Sequence, residues 1–229
     1  MRSVGPSVYR PAVGAALVLL VAASAAGPGT EDAGGAQPTT FRANVTKLTP
    51  AQRDAMTPSV WRPGCPVHIR ALRRVTVVFW GFGGRTRKGA IVVHRDVAGD
   101  LVTIFRRLYR SRIAVRKMRP IERFGGSDLR SIEADNTSAF NCRFVEGTRR
   151  WSQHAYGRAI DINPLENPYV RNGRTSHRRS VPFVRRRPYR KGMAVPGGAM
   201  VAAFGAVGWG WGGRWRTVKD YQHFSASSR

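Results

Sequence analysis

In the stretch Ser152-Gln-His-Ala-Tyr-Gly-Arg-Ala-Ile-Asp161, an imidazole and a carboxylate, His154 and Asp161, stand seven residues apart. Gly157 and Ala159 lie between them, and small residues there let the backbone fold closely around whatever the two side chains grip. A borderline-soft, tetrahedral zinc ion suits such a mixed nitrogen and oxygen donor set, and a catalytic zinc takes three protein ligands plus an open position. The third ligand must come from elsewhere. His223, in Lys219-Asp-Tyr-Gln-His-Phe224, is the only comparably placed histidine. A fold that satisfies all three must bring the C-terminal segment back against residues 154–161.

The chain has 229 residues, enough for one domain of ordinary size with an apolar core, plus extensions. Arg2 and Arg10 precede an uncharged apolar run from Pro11 to about Ala26, with an A-x-A-like site near Ala23 to Ala25. That layout is a secretory signal, cleaved or retained as an N-terminal anchor, and it predicts an extracytoplasmic location. The run is short of the roughly 20 residues a spanning helix needs. No cysteine follows it for lipidation. Cys65 and Cys142 allow one intramolecular pairing, and outside the cell a disulfide is the expected state; two buried free thiols are the alternative. The formal charge is +26, and removing Arg2 and Arg10 leaves it near +24. Such a field favours polyanions. No recognised nucleic-acid motif accompanies it, so anionic cell-wall polymers suit an exported chain better than a specific nucleic acid does. Solvated surface arginines with no partner would give the same composition.

Residues 27–40 are rich in Gly, Pro, Ala and Thr, with no apolar period, and read as a linker. Thr49-Pro50 opens a short helix to Met56, with Thr49 as N-cap and Pro50 at its first position. Arg74–Trp80 and Gly89–His94 are β-branched runs around a turn and read as antiparallel strands. Asp96 can cap the helix that follows, whose stripe of Val97, Leu101, Ile104, Phe105 and Leu108 reads as core. Residues 127–144 form a polar stretch ending on a strand, and Ser152–Ile162 continue as turn and strand. A long basic loop, Asn163–Gly192, precedes a helix that Pro196 opens and Gly208 stops. Trp209-Gly-Trp-Gly-Gly-Arg-Trp215 is a glycine-spaced aromatic loop, and Trp211 and Trp215 are candidate walls of a substrate cleft. Val218–Phe224 closes the chain as a strand. The expected class is α+β, a small antiparallel sheet flanked by a few helices with long loops.

The pattern S-x-H-x-x-G-x-A-x-D followed by an acid three residues before a second histidine resembles the M15 family of zinc D-Ala-D-Ala carboxypeptidases and L-alanyl-D-glutamate peptidases. The stretches Asn136-Thr-Ser-Ala-Phe-Asn-Cys-Arg143 and Asp161-Ile-Asn-Pro164 are similar to its secreted actinobacterial-type branch. The resemblance implies that His154, Asp161 and His223 hold Zn²⁺ and that the fold is hedgehog/D-Ala-D-Ala-peptidase-like. It implies that Asp220 is the proton-transferring acid; orienting His223 through a hydrogen bond is the other role open to it. Arg143 would steady the oxyanion, and Ser152 would contact substrate, or else cap a turn.

On this reading residues 1–26 are the signal or anchor, 27–66 a linker and N-terminal extension, and 67–229 a zinc peptidase domain. The expected substrate is the peptide stem of peptidoglycan. The terminal D-Ala-D-Ala cut is preferred, with the internal L-Ala-D-Glu cut as alternative. The chain is expected to be monomeric and to touch a membrane only through an uncleaved N-terminal segment. A catalytically silent wall- or polyanion-binding module, or a nucleic-acid binder, would share the charge but would show no metal-dependent hydrolysis.

Overall fold

The structure, a computed structural model, describes residues 40–227. The signal or anchor read at residues 1–26, and the linker up to residue 39, lie outside the described residues. Among the described residues no helix is long and apolar enough to cross a membrane.

Strand β1 (Ala43–Lys47) leads into helix α1 (Pro50–Met56). Thr49 Oγ1 accepts from Gln52 N at 3.2 Å and Gln52 Oε1 accepts from Thr49 N at 3.0 Å. This reciprocal box satisfies two of the free N–H groups at the helix start. Strands β2 (Leu72–Trp80) and β3 (Thr86–His94) pair antiparallel, with Val75 opposite Ile91 and Trp80 opposite Thr86, while β1 pairs with β2 from Ala43↔Val77 to Lys47↔Arg73. The turn is shorter than expected, because Thr86, Arg87 and Lys88 already belong to the ladder. Residues 40–66 pack into the same body as the other described residues, through β1 on β2 and through Leu48, Met56 and Val60 in the core. The pleat splits the side chains. Val75, Val77, Phe79, Ile91 and Val93 enter the main core, whereas Leu72 and Val92 join Leu48, Met56, Val60 and Phe140 in a second one.

Helix α2 (Ala98–Arg110) lays Leu101, Ile104, Phe105 and Leu108 against the main core. Asp96 does not cap it. The His94 ring accepts from Asp96 N, Asp96 pairs with Arg158 at 2.7 Å, and the turn between them enters the helix without a side-chain cap. β4 (Lys117–Met118) comes before the polar stretch, which contains helix α3 (Asp128–Glu133), whose N-cap is Ser127, and β5 (Asn136–Thr137), parallel to β4.

A second small sheet carries the motif residues. It is built from β6 (Ala159–Asp161), and further along the chain come β7 (Tyr169–Val170), helix α4 (Ala199–Gly205), β8 (Gly210–Trp211), β9 (Lys219–Asp220) and β10 (His223–Ser225). The order is β6-β10-β8, all antiparallel, and β7 pairs with β9. The expected single strand Val218–Phe224 is thus two short strands with different partners, separated by a bend at Tyr221–Gln222. Helix α4 starts after Gly198 rather than at Pro196. Its Phe204 stacks on Phe224 with centroids 3.9 Å apart, both rings fully buried. Together the elements make an α+β fold with small antiparallel sheets and a few helices.

Cys65 and Cys142 form a disulfide with a Cα–Cα distance of 5.9 Å across 77 residues. Closing so long a loop stabilises the fold by about 4 kcal/mol on the chain-entropy account.

Candidate metal centre

His154 lies on a 3₁₀ turn, Gln153–Tyr156, that Ser152 begins and Gly157 ends. Ser152 Oγ accepts from His154 N at 3.3 Å, and Gly157 takes a left-handed φ of +65°. A Cβ at position 157 would stand 2.6 Å from His94 N, so glycine lets the motif lie against the end of β3. The His154 ring is then fixed from behind. Its Nδ1 lies 2.6 Å from the carbonyl oxygen of Ala139, and because a carbonyl only accepts, Nδ1 carries the proton. In the neutral ring, Nε2 is left with its lone pair facing the site.

Asp161 ends β6 and sits between two neighbours. Ser138 bridges it on one side, through N–O contacts of 3.1 and 2.9 Å, and His223 is its direct register partner on the other. That register puts His223 and Asp161 side by side with no further device. His154 Nε2 is 3.2 Å from His223 Nδ1 and 3.3 Å from Asp161 Oδ1, and His223 Nδ1 is 3.2 Å from the same oxygen. These three are the one group of metal-ligating side chains found together among the described residues, and all are buried. Ligands held about 2.0–2.1 Å from a tetrahedral zinc stand about 3.3–3.4 Å from one another. The three donor atoms form a triangle of that size, so the residues fit the ion. Burial alone would raise the proton affinity of Asp161, yet the two imidazoles hold its carboxyl well below the usual range, which suits it to the role of an anionic ligand.

Asp220 stands on the β7–β9 ladder, the bend at Tyr221–Gln222 separates it from His223, and its carboxyl is close enough to Asp161, His223 and His154 to feel their charges. Its Oδ1 is buried and accepts no hydrogen bond. Burial, and next the charge of Asp161, push its carboxyl up to about 6, against the opposing pull of His223, His154 and Arg143. Gly212 allows this approach, since a Cβ there would lie 2.6 Å from Asp220 O. Residues 146–226 match a protein-family model described as D-alanyl-D-alanine carboxypeptidase. The match includes His154, Asp161, Asp220 and His223, agrees with the resemblance drawn from the two motifs, and supports a peptidase of the M15 family. No curated protein and no solved structure matches the chain.

Arg143 lies just before the matched stretch. Its Nε pairs with the Asp128 carboxylate, whose Oδ1 also accepts from Asn141 Nδ2 at 2.8 Å. Arg62 Nη1 donates to Cys142 O at 2.8 Å, and Cys142 N donates to Val60 O at 3.0 Å, so the backbone beside Arg143 is pinned next to the disulfide. Asp128 and Asn141 carried no signal of this in the sequence, because their partner is distant along the chain.

The substrate-facing candidates separate. Ser152 is buried and its hydroxyl caps the His154 turn. Trp211 is core rather than cleft wall: it is 4% exposed, packs toward Phe224 and donates from Nε1 to Tyr221 O at 2.9 Å. Trp215 is half-buried, with its ring centroid 5.4 Å from that of His223, so of the two it alone borders the site.

Proposed function

We propose that this protein is a zinc metallopeptidase that hydrolyses the peptide stem of peptidoglycan, removing the terminal residue of a D-alanyl-D-alanine end. The observation that carries the reading is the triangle of His154 Nε2, Asp161 Oδ1 and His223 Nδ1, with Asp220, whose buried Oδ1 accepts no hydrogen bond, close enough to feel the charge of all three residues. The family match supports a peptidase and bears on the substrate class. His154, Asp161 and His223 would hold the zinc, which when bound supplies Lewis acidity toward water and the scissile carbonyl.

The chain supplies the rest. Asp220 Oδ1, with no hydrogen bond to break and a proton affinity set by burial, takes a proton from the attacking water and returns it to the leaving amine. Arg143, held by Asp128 and by the pinned backbone at Cys142, presents a fixed cation to the oxygen that gains charge, so little reorganisation is needed. Trp215 gives the substrate an apolar wall next to His223. The disulfide and the N-terminal leader support an extracytoplasmic location.

Mass spectrometry of purified muropeptides after incubation with zinc-loaded protein tests the reading. Release of one D-alanine from a pentapeptide stem is expected, and Asp220→Asn should lower the rate by about 10²–10⁴ while zinc stays bound. A stem split between L-alanine and D-glutamate would move the cut to the internal bond. Unchanged muropeptides would overturn the enzyme reading.

A further inference from the structure

The basic segment from Arg171 to Lys191 takes no part in the chemistry above. We propose that it is a docking surface for a linear phosphodiester polymer of the cell wall, seated beside the metal centre. The proposal rests on the peptidase reading only for placing the protein in the wall.

Charge is the first ground. No Asp or Glu occurs between Glu166 and Asp220, a span that holds twelve arginines and lysines. Nine of these fall between Arg171 and Lys191, and every one of the nine except Arg186 is exposed. Arg174, Arg178, Arg185 and Arg187 have no side-chain hydrogen bond or ion pair among the described residues. Some arginines elsewhere are held by acids, as Arg116 is by Asp135 and Glu166, and Arg158 by Asp96, but within this segment there is no acid to hold one. An uncompensated field of this extent attracts a chain of anions rather than a single one.

The second ground is order. Arg186 is the exception among the nine, and it ties the segment down. Its guanidinium donates to the carbonyls of Glu166, Phe183 and Ala194 and to Asn167 Oδ1, at 2.6–2.9 Å, and lies 4.3 Å from the Tyr221 ring centroid. Burial pushes Arg186 down to about 10, so it stays charged at neutral pH. Ser180 is fully buried, Arg190 donates to Pro182 O at 3.0 Å, and Lys191 donates to Phe82 O at 2.5 Å. Cations carried on a fixed backbone lose less freedom on binding than cations on a flexible tail.

Place is the third. Tyr169 is the register partner of Asp220, and Arg171 follows β7 directly, so the surface begins at the strand paired with the one that carries the acid. A wall polymer lying on it would hold nearby stem peptides at the metal centre. Val181 and Tyr189 are the segment's two exposed large apolar residues, too few for membrane insertion to lead the binding. Nor does a nucleic-acid motif accompany the charge.

The test uses the full zinc-loaded chain and three probes: a defined poly(glycerol phosphate) oligomer, duplex DNA of matched phosphate number, and phosphatidylglycerol–phosphatidylcholine vesicles. The oligomer should bind with an affinity that falls about tenfold or more between roughly 50 and 200 mM salt. The combined Arg174→Gln, Arg178→Gln, Arg185→Gln, Arg187→Gln variant should lose at least about tenfold more, with hydrolysis of a soluble pentapeptide unchanged. Unaltered oligomer binding by that variant would overturn the proposal. So would tighter binding of DNA than of the oligomer, or vesicle binding that resists high salt. Failure of the peptidase reading is separate, since it would appear as no soluble-peptide hydrolysis by the unmodified protein while oligomer binding persists.

Discussion

The two three-stranded sheets carry different burdens. In the first, β2 and β3 run nine residues each and bury apolar side chains on both faces, so it is held by its own ladder and by two cores. In the second, β6, β8 and β10 are two or three residues long, and their polar ends carry Asp161 and His223. So little ladder cannot define a register by itself. What defines it is the packing behind it: Ile160 and Phe224 are direct partners, and Phe224 lies between Phe204 and Trp211. The long sheet is therefore a stability element. The short one is a positioning element, where a packing error becomes an error in the spacing of Asp161 and His223.

The comparison breaks most visibly at the ligands. His223→Ala should cut zinc affinity by more than about 100-fold, beyond what loss of an outer hydrogen bond costs, and abolish turnover, with the far-UV circular dichroism unchanged. Calorimetric zinc titration reads this. Next come two core truncations of similar expected cost, Phe224→Ala at about 3–5 kcal/mol and Ile91→Ala at about 2–5 kcal/mol by urea unfolding. Only the first should also weaken zinc binding. If Ile91→Ala loosened the metal equally, the division between the sheets would fail.

Asp128→Asn keeps the shape but removes the charge that holds Arg143. It should lower kcat about tenfold, equivalent to about 1.4 kcal/mol in the barrier, with zinc affinity unaltered. Equal loss of zinc would mean that Asp128 supports the fold and not the guanidinium. The smallest effect belongs to the far end of the long sheet. Thr49→Ala removes the α1 cap and should cost about 1 kcal/mol, visible in chemical denaturation and absent from kinetics.

The same contrast explains what could be read in advance. β2 and β3 announce themselves through the alternating Val75, Val77 and Phe79 and the alternating Ile91 and Val93, which enter one core, and α2 through its apolar stripe, because burial imposes a period on composition. The Thr49-Pro50 start of α1 is local chemistry and equally visible. β1 is not, since all five of its residues are exposed and its only cue is the edge of β2. Nor is α3, a six-residue helix whose one large apolar residue besides Ile132, Leu129, points to solvent. In the site, His154, Asp161, Asp220 and His223 are legible because few residue types do their chemistry. Ser152 and Trp211 are less legible for the converse reason. A hydroxyl beside a turn and an indole beside glycines serve packing as readily as substrate contact, and only the three-dimensional surroundings decide. Arg186, anchored by four acceptors, is indistinguishable in sequence from its exposed neighbours Arg185 and Arg187.

X-ray absorption on the zinc-loaded protein, compared with the His154→Ala variant, asks the decisive question. Two imidazole nitrogens and one carboxylate oxygen at about 2.0–2.2 Å, with a further light atom, are expected, and one imidazole should vanish in the variant. A spectrum without imidazole, or one the substitution leaves untouched, would contradict a metal held by His154, Asp161 and His223.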